Sequence, residues 1–203
     1  DLDLATVHSL VDAFSGYSAI AAAFYNWHAR GSIEHRQASE WLPQAGPMAD
    51  KAARVRWVLH AGHPRLALVH DATSLQAIHG PWAHVFSASS PCDSFSTANA
   101  TATDDDRQRA LHTLLLALLY VEYHIGRGYP PWLILIENAP TLANRFSAYG
   151  DAIRRRVVDW GSYHIHYGIV SPPIHAASHI DRSRWYLIGI LPPNLRRAPP
   201  SSS

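Results

Sequence analysis

The stretch LILIENAPTL, residues 133–142, decides the fold. Its first four residues are all apolar, with no polar position between them. That is the pattern of a strand covered on both faces, not of one with a wet side. The run then breaks at Glu137 and Asn138, so the strand ends on an acid and an amide. A strand covered on both faces needs helices on both sides of its sheet, and the flanking sequence supplies the alternation. Residues 7–14 (VHSLVDAF), 32–35, 66–70 (LALVH) and 84–88 (HVFSA) read as earlier strands. Residues 163–170 and 185–191 read as later ones. Helical stretches fall between them at 18–28 (SAIAAAFYNWH), 48–60, 105–126 and 149–160. Strands alternating with helices predict a doubly wound α/β fold around a mostly parallel sheet. The 105–126 helix opens on acidic residues that suit the positive end of its dipole.

Composition agrees with one globular unit. The chain has 203 residues, 47% hydrophobic and 16% charged, enough to bury a substantial core. The expected division is a catalytic domain over 1–191 and a loose Pro- and Ser-rich tail over 192–203 (PPNLRRAPPSSS). No apolar run is long enough to span a bilayer, and the N-terminus has no basic-then-apolar signal. The single cysteine, Cys92, excludes an internal disulfide and fits a reducing compartment. The expected location is therefore intracellular: the nucleus in a eukaryote, otherwise the cytoplasm. The formal net charge of +1 argues against tight, autonomous binding to DNA.

In such folds ligands sit beyond the carboxyl ends of the strands. Phe14, Ser15 and Gly16 end the first strand. Glu34 is read as ending the second, Asp71 follows the third, Cys92 follows the fourth and Glu137 ends the fifth. A glycine at the first turn gives a ligand room near the backbone. An acid after the second strand suits ribose hydroxyls, and one after the third suits an adenine amino group. The first turn, VDAFSGYSA, is not GxGxxG, so a nucleoside cofactor without a pyrophosphate fits better than NAD.

Several runs then resemble, in order, the motifs of cytosine-5 DNA methyltransferases. LVDAFSGYSAIAAAF resembles the opening cofactor motif. IEHR and VHDAT fall where that family carries its cofactor-binding acids. SASSPCDSFSTAN resembles the Pro-Cys-Gln nucleophile loop, LILIENAPTL the Glu-Asn-Val strand end, and DRSRWYLIG the Arg-x-Arg strand. The resemblance implies a Rossmann-like fold and S-adenosylmethionine as cofactor. It implies Cys92 as nucleophile, with Glu137 at the cytosine N3 and Asn138 in support. Arg182 and Arg184 match the arginine pair, with Arg184 contacting the cytosine carbonyl. Phe14 is implied to stack on adenine, Glu34 to hold the ribose and Asp71 to bind the adenine amino group. Asp12, Ser15, Gly16 and Leu111 complete the implied cofactor contacts. The implied substrate is DNA, with tRNA as the alternative.

The sequence also departs from that pattern. Asp93 stands in place of Gln, and a carboxylate beside the thiol is expected to raise its pKa. Ser18 and Ala19 replace glycines of the cofactor loop. His179 and Ile180 replace a Pro-Gln pair. A target recognition domain and a closing helix have no counterpart after Arg184; the helix is expected from an upstream segment, from a protein partner or not at all, and a partner is the expected source of recognition elements. These departures support a second reading, a methyltransferase-like binding domain without turnover. His164, His166, His175 and His179 lack a completing ligand set, so no metal is expected. Arg154, Arg155 and Arg156 read as a solvated helix face, and Trp132 as core packing.

Overall fold

The computed structural model describes residues 7–13, 34–39, 67–69, 71–89, 92–97, 99–171 and 183–200. Seven strands form one sheet: β1 (Ser9–Ala13), β2 (Glu34–Ser39), β3 (Ala67–Val69), β4 (Val85–Ser89), β5 (Leu133–Asn138), β6 (His164–Val170) and β7 (Arg184–Ile190). Their spatial order is β3-β2-β1-β4-β5-β7-β6. The first five pair in parallel, and β7 runs antiparallel between β5 and β6. The expected doubly wound, mostly parallel sheet is therefore present. Its strand order reverses between β1 and β4, which opens a crevice at their carboxyl ends.

Four helices lie among the described residues: α1 (Leu75–Ile78), α2 (Asp104–Ala117), α3 (Leu119–Gly126) and α4 (Ser147–Asp159). The expected helices at 18–28 and 48–60 lie outside the described residues. Helix α2 starts at a reciprocal cap. The Thr103 hydroxyl accepts from the Asp106 N–H at 3.2 Å, and the Asp106 carboxylate accepts from the Thr103 N–H at 2.9 Å. The stretch expected to be one helix is two. At the junction the Leu118 carbonyl accepts from both Val121 and Glu122, at 3.0 and 3.3 Å. Helix α3 stops at Gly128, whose φ of 80° suits a residue without a Cβ. Tyr129 N–H there donates to His124 O, and Gly128 N–H to Ile125 O.

The helices cover β4 and β5. Phe86 stacks on Tyr120 with ring centres 5.1 Å apart, and Leu114, Leu118 and Val121 meet Ile134 and Ile136 in one buried cluster. Trp132 packs edge-on against His84, centre to centre 4.4 Å, as a packing residue should. The basic run lies toward solvent. Arg154 pairs with Asp151 at 3.3 Å, Arg156 with Glu122 at 2.6 Å, and Arg155 is exposed. His164 and His166 are exposed on edge strand β6. Among the described residues no helix is long and apolar enough to cross a membrane.

Two expectations are corrected. The second strand is not 32–35 but Glu34–Ser39, so Glu34 opens the strand and pairs with Ser9 at the amino end of β1. The sequence EHRQAS hid the strand because its buried residue Gln37 is polar. Its side-chain amide is satisfied by donating to Ala77 O at 3.1 Å, which is what lets it stay inside. The tail is not loose over residues 192–200. Arg196 Nε donates to Leu191 O at 2.9 Å, Trp132 Nε1 approaches Arg197 O at 3.5 Å, and Pro199 lines a cavity with Trp82 and His124.

One glycine bears on the site. A Cβ at Gly150 of α4 would stand 2.6 Å from Leu142 O, in the turn that follows β5. Gly150→Ala is expected to destabilise the fold by about 1–3 kcal/mol through overpacking. Urea unfolding checks this; a variant as stable as the parent would show that the turn yields freely.

Candidate active site at the carboxyl edge of the sheet

Strands β4 and β5 end level, with Ser89 opposite Glu137. Beyond β4 the chain enters a 3-10 turn, Asp93–Phe95, capped by Cys92. Phe95 closes the turn by donating its N–H to Cys92 O at 3.0 Å. Its ring is 2% exposed and wedged edge-on between Phe146 and Tyr149, so the loop has an apolar anchor. Cys92 itself is only half-buried.

Beyond β5, Asn138 is fully buried and its Oδ1 accepts from the Ala139 N–H at 2.7 Å. That bond turns the chain into a second 3-10 turn, Pro140–Ala143. Strand β7 enters from the other side, with Trp185 opposite Asn138 and Tyr186 opposite Glu137. This register sets Arg184 at the tip of β5. Its Nε stands 2.6 Å from Glu137 Oε1, each side chain being 19% exposed. Its Nη1 donates to Ser183 O at 2.9 Å, which fixes the guanidinium further. Cys92, Ser96, Thr141, Ser183 and Arg184 line one cavity of about 240 Å³, and Glu137 adjoins it through the ion pair.

The thiol pKa is raised. Burial is the largest cause, followed by the negative charges of Asp93 and Glu137, and Arg184 pulls the other way. The carboxylate next to the thiol thus acts in the direction its sequence position implies. Among the described residues, the Arg184 guanidinium opposes the two acids.

The structure therefore brings Cys92, Glu137 and Arg184 together, with Asn138 beneath them. It does not bring Glu34 there. As the first residue of a six-residue strand, Glu34 lies at the opposite edge of the sheet, about 16 Å from the strand's end at a rise of about 3.3 Å per residue. The first acid in sequence after β2 ends is Glu40, which lies outside the described residues. Asp71 does follow β3 and is exposed; its Oδ1 accepts from the Thr73 N–H and hydroxyl at 2.8 and 2.7 Å. Asp12 is 1% exposed and accepts from the Ser87 hydroxyl, which pins β1 to β4 at the reversal of strand order. Leu111 is half-buried and packs against the core from α2. Phe14, Ser15, Gly16 and Arg182 lie outside the described residues. Sequence reasoning missed Thr141, which lines the cavity and bonds to the loop that carries Cys92.

This topology and this site define a Rossmann-like methyltransferase domain. The sequence profile described as C-5 cytosine-specific DNA methylase matches residues 9–201, and the chain belongs to that family. The match runs past residue 191 into the docked tail. The family's cofactor is S-adenosylmethionine. No curated protein matches the chain. Among solved structures, it is similar to the Entamoeba histolytica methyltransferase EhMeth, with 21% identity and a TM-score of 0.60 over 93% of this chain and 54% of that one. It is similar to the Schizosaccharomyces pombe Dnmt2 methyltransferase, with 20% identity and a TM-score of 0.56 over 91% and 49%. A precorrin-6y C5,15-methyltransferase from Geobacter metallireducens shares the fold at 12% identity and a TM-score of 0.51, over 91% and 80%. The chain spans about half the length of the EhMeth and Dnmt2 chains it matches.

Replacing Asp93 with Gln removes one of the causes that raise the Cys92 pKa, so the thiol pKa is expected to fall. The midpoint of iodoacetamide alkylation against pH measures it directly. An unchanged or higher midpoint would remove Asp93 from the electrostatics of the site.

Proposed function

We propose that this domain transfers a methyl group to carbon 5 of cytosine in DNA through a covalent Cys92 adduct. The observation that carries the reading is the meeting of Cys92, Glu137 and Arg184 at one cavity on the carboxyl edge of the sheet. S-adenosylmethionine supplies the electrophilic methyl group. The residues present fit it: the strand order reverses between β1 and β4, the strand that leads into the Cys92 loop, and an exposed acid, Asp71, follows β3. Asp71 would meet the adenine amino group and Glu40, in place of Glu34, the ribose. Phe14 with Ser15 and Gly16 would border the adenine, while Asp12 and Leu111 act from behind as packing and pinning groups.

The chemistry assigns each remaining residue a task. Carbon 5 of cytosine is a weak nucleophile. Cys92 gives up its proton, and the sulfur adds to carbon 6. The carbon 5–carbon 6 π pair moves to carbon 4–carbon 5, and the displaced pair at N3 takes a proton. Glu137 is the group for that N3 proton, oriented by Arg184, which also reaches the cytosine carbonyl. Arg182 joins it as the second arginine of the pair, and Asn138 holds the strand end rigid. The carbon 4–carbon 5 pair would then take the methyl group, releasing S-adenosylhomocysteine, while the N3 proton returns to Glu137 and the N3–carbon 4 double bond re-forms. A base takes the carbon 5 proton, the carbon 5–carbon 6 double bond returns and the thiolate leaves. A cytosine in duplex must leave the stack to reach the sulfur.

A second reading has its own support. The raised thiol pKa lowers the thiolate fraction near neutral pH, which favours a methyltransferase-like binding domain without turnover. Incubation with 5-fluorocytosine DNA and cofactor separates the two readings, with 5-fluorocytosine tRNA as the substrate alternative. An adduct at Cys92 is expected, absent in Cys92→Ser and slowed about 10²- to 10⁴-fold in Glu137→Gln. Calorimetric binding of S-adenosylhomocysteine with no adduct on either nucleic acid would favour the binding domain.

A further inference from the structure

Past Ser89 and Asn138 the sheet no longer joins the two loops that carry the site. A side-chain bond bridges them: the Thr141 hydroxyl donates to Phe95 O, in the interior, across 46 residues of sequence. Each end of that bond is itself anchored. Phe95 N–H donates to Cys92 O at 3.0 Å, so the carbonyl that Thr141 holds belongs to the residue that closes the Cys92 turn. On the other side, Thr141 O accepts from the N–H groups of Phe146 and Asn144, at 2.9 and 3.3 Å. Thr141 also stands four residues beyond Glu137, across the Asn138 cap. A continuous path therefore runs from Glu137 through Asn138 and Thr141 to Phe95 and Cys92.

We infer that Thr141 is a positioning residue: its hydroxyl locks the Cys92 turn to the end of β5 and so fixes the sulfur relative to Glu137 and Arg184. The inference rests on the reading of Cys92 as the nucleophile. Its physical content is simple. A half-buried sulfur on a loop keeps one location only if the loop is tied to the strand that carries its partners. Phe95 supplies an apolar anchor, which resists removal of the ring but tolerates sliding and rotation. The hydrogen bond supplies direction, because it fixes which way the Phe95 carbonyl faces. Without the hydroxyl the turn loses that constraint and the sulfur spends more time exposed.

The test compares Thr141→Val, which keeps the shape and loses the donor, with Thr141→Ser, which keeps the donor. Circular dichroism and urea unfolding establish the folded fraction of each. Two rates are then read per folded molecule, iodoacetamide alkylation of Cys92 against pH and adduct formation with 5-fluorocytosine DNA. In the Val variant the alkylation midpoint is expected to fall by up to about one pH unit, making alkylation near neutral pH up to about tenfold faster. Adduct formation is expected to slow, by about 10²-fold for a displacement of about 1 Å. Thr141→Ser restores both. A structural role alone would lower the folded fraction but leave both rates per folded molecule, and the midpoint, in place. An unchanged midpoint in the Val variant overturns the inference. A wild-type chain that forms no adduct on DNA or tRNA defeats the methylation reading, while the alkylation midpoints still decide the role of Thr141.

Discussion

The contact between Arg184 and Glu137, 2.6 Å across the tips of β7 and β5, is the constraint on which the site depends. It exists because β7 inserts antiparallel between β5 and β6, with Tyr186 opposite Glu137. A one-residue slip would turn every side chain of β7 to the other face. The buried alternation along β7 forbids that slip, since Trp185 and Leu187 sit in the core while their neighbours do not. Burial of two apolar residues thus determines where a cation stands relative to an acid.

The energetic value of such a pair is modest in itself. Neither partner is fully exposed or fully buried, so its strength lies between a surface pair of about 0–1 kcal/mol and a buried one whose disruption costs about 3–5 kcal/mol. Its larger consequence is electrostatic. Cys92 faces two carboxylates, Asp93 and Glu137, and burial besides; each disfavours a thiolate. Arg184 opposes them from the wall of the same cavity. The site therefore keeps a protonated, half-buried sulfur near neutral pH, beside a cation that favours its ionisation.

The remaining architecture serves this arrangement through rigidity. Asn138 caps β5, Phe95 wedges the Cys92 loop against Phe146 and Tyr149, and the Thr141 hydroxyl ties the two loops. At the other edge of the sheet, the docked segment 192–200 lies against Trp132 and the cavity beside Trp82 and His124. Burial there holds the His124 pKa down at about 4, so the ring packs as a neutral group near neutral pH.

Sequence by itself determined the alternation of strands and helices, and it put Cys92, Glu137 and Arg184 at or just beyond strand tips. Those features are local: an unbroken apolar run such as 133–136 encodes a strand covered on both faces wherever it lies, and the acid that ends it marks the edge. Tertiary structure decided what depends on register and partners. It moved Glu34 to the amino edge, because β2 is a buried strand with polar letters whose Gln37 finds its partner on α1. It sealed Asp12 between β1 and β4, docked a tail whose composition reads as loose, and gave Thr141 a partner 46 residues away. None of these can be read from neighbouring residues, since each is a pairing between segments that only the folded sheet brings within hydrogen-bond reach.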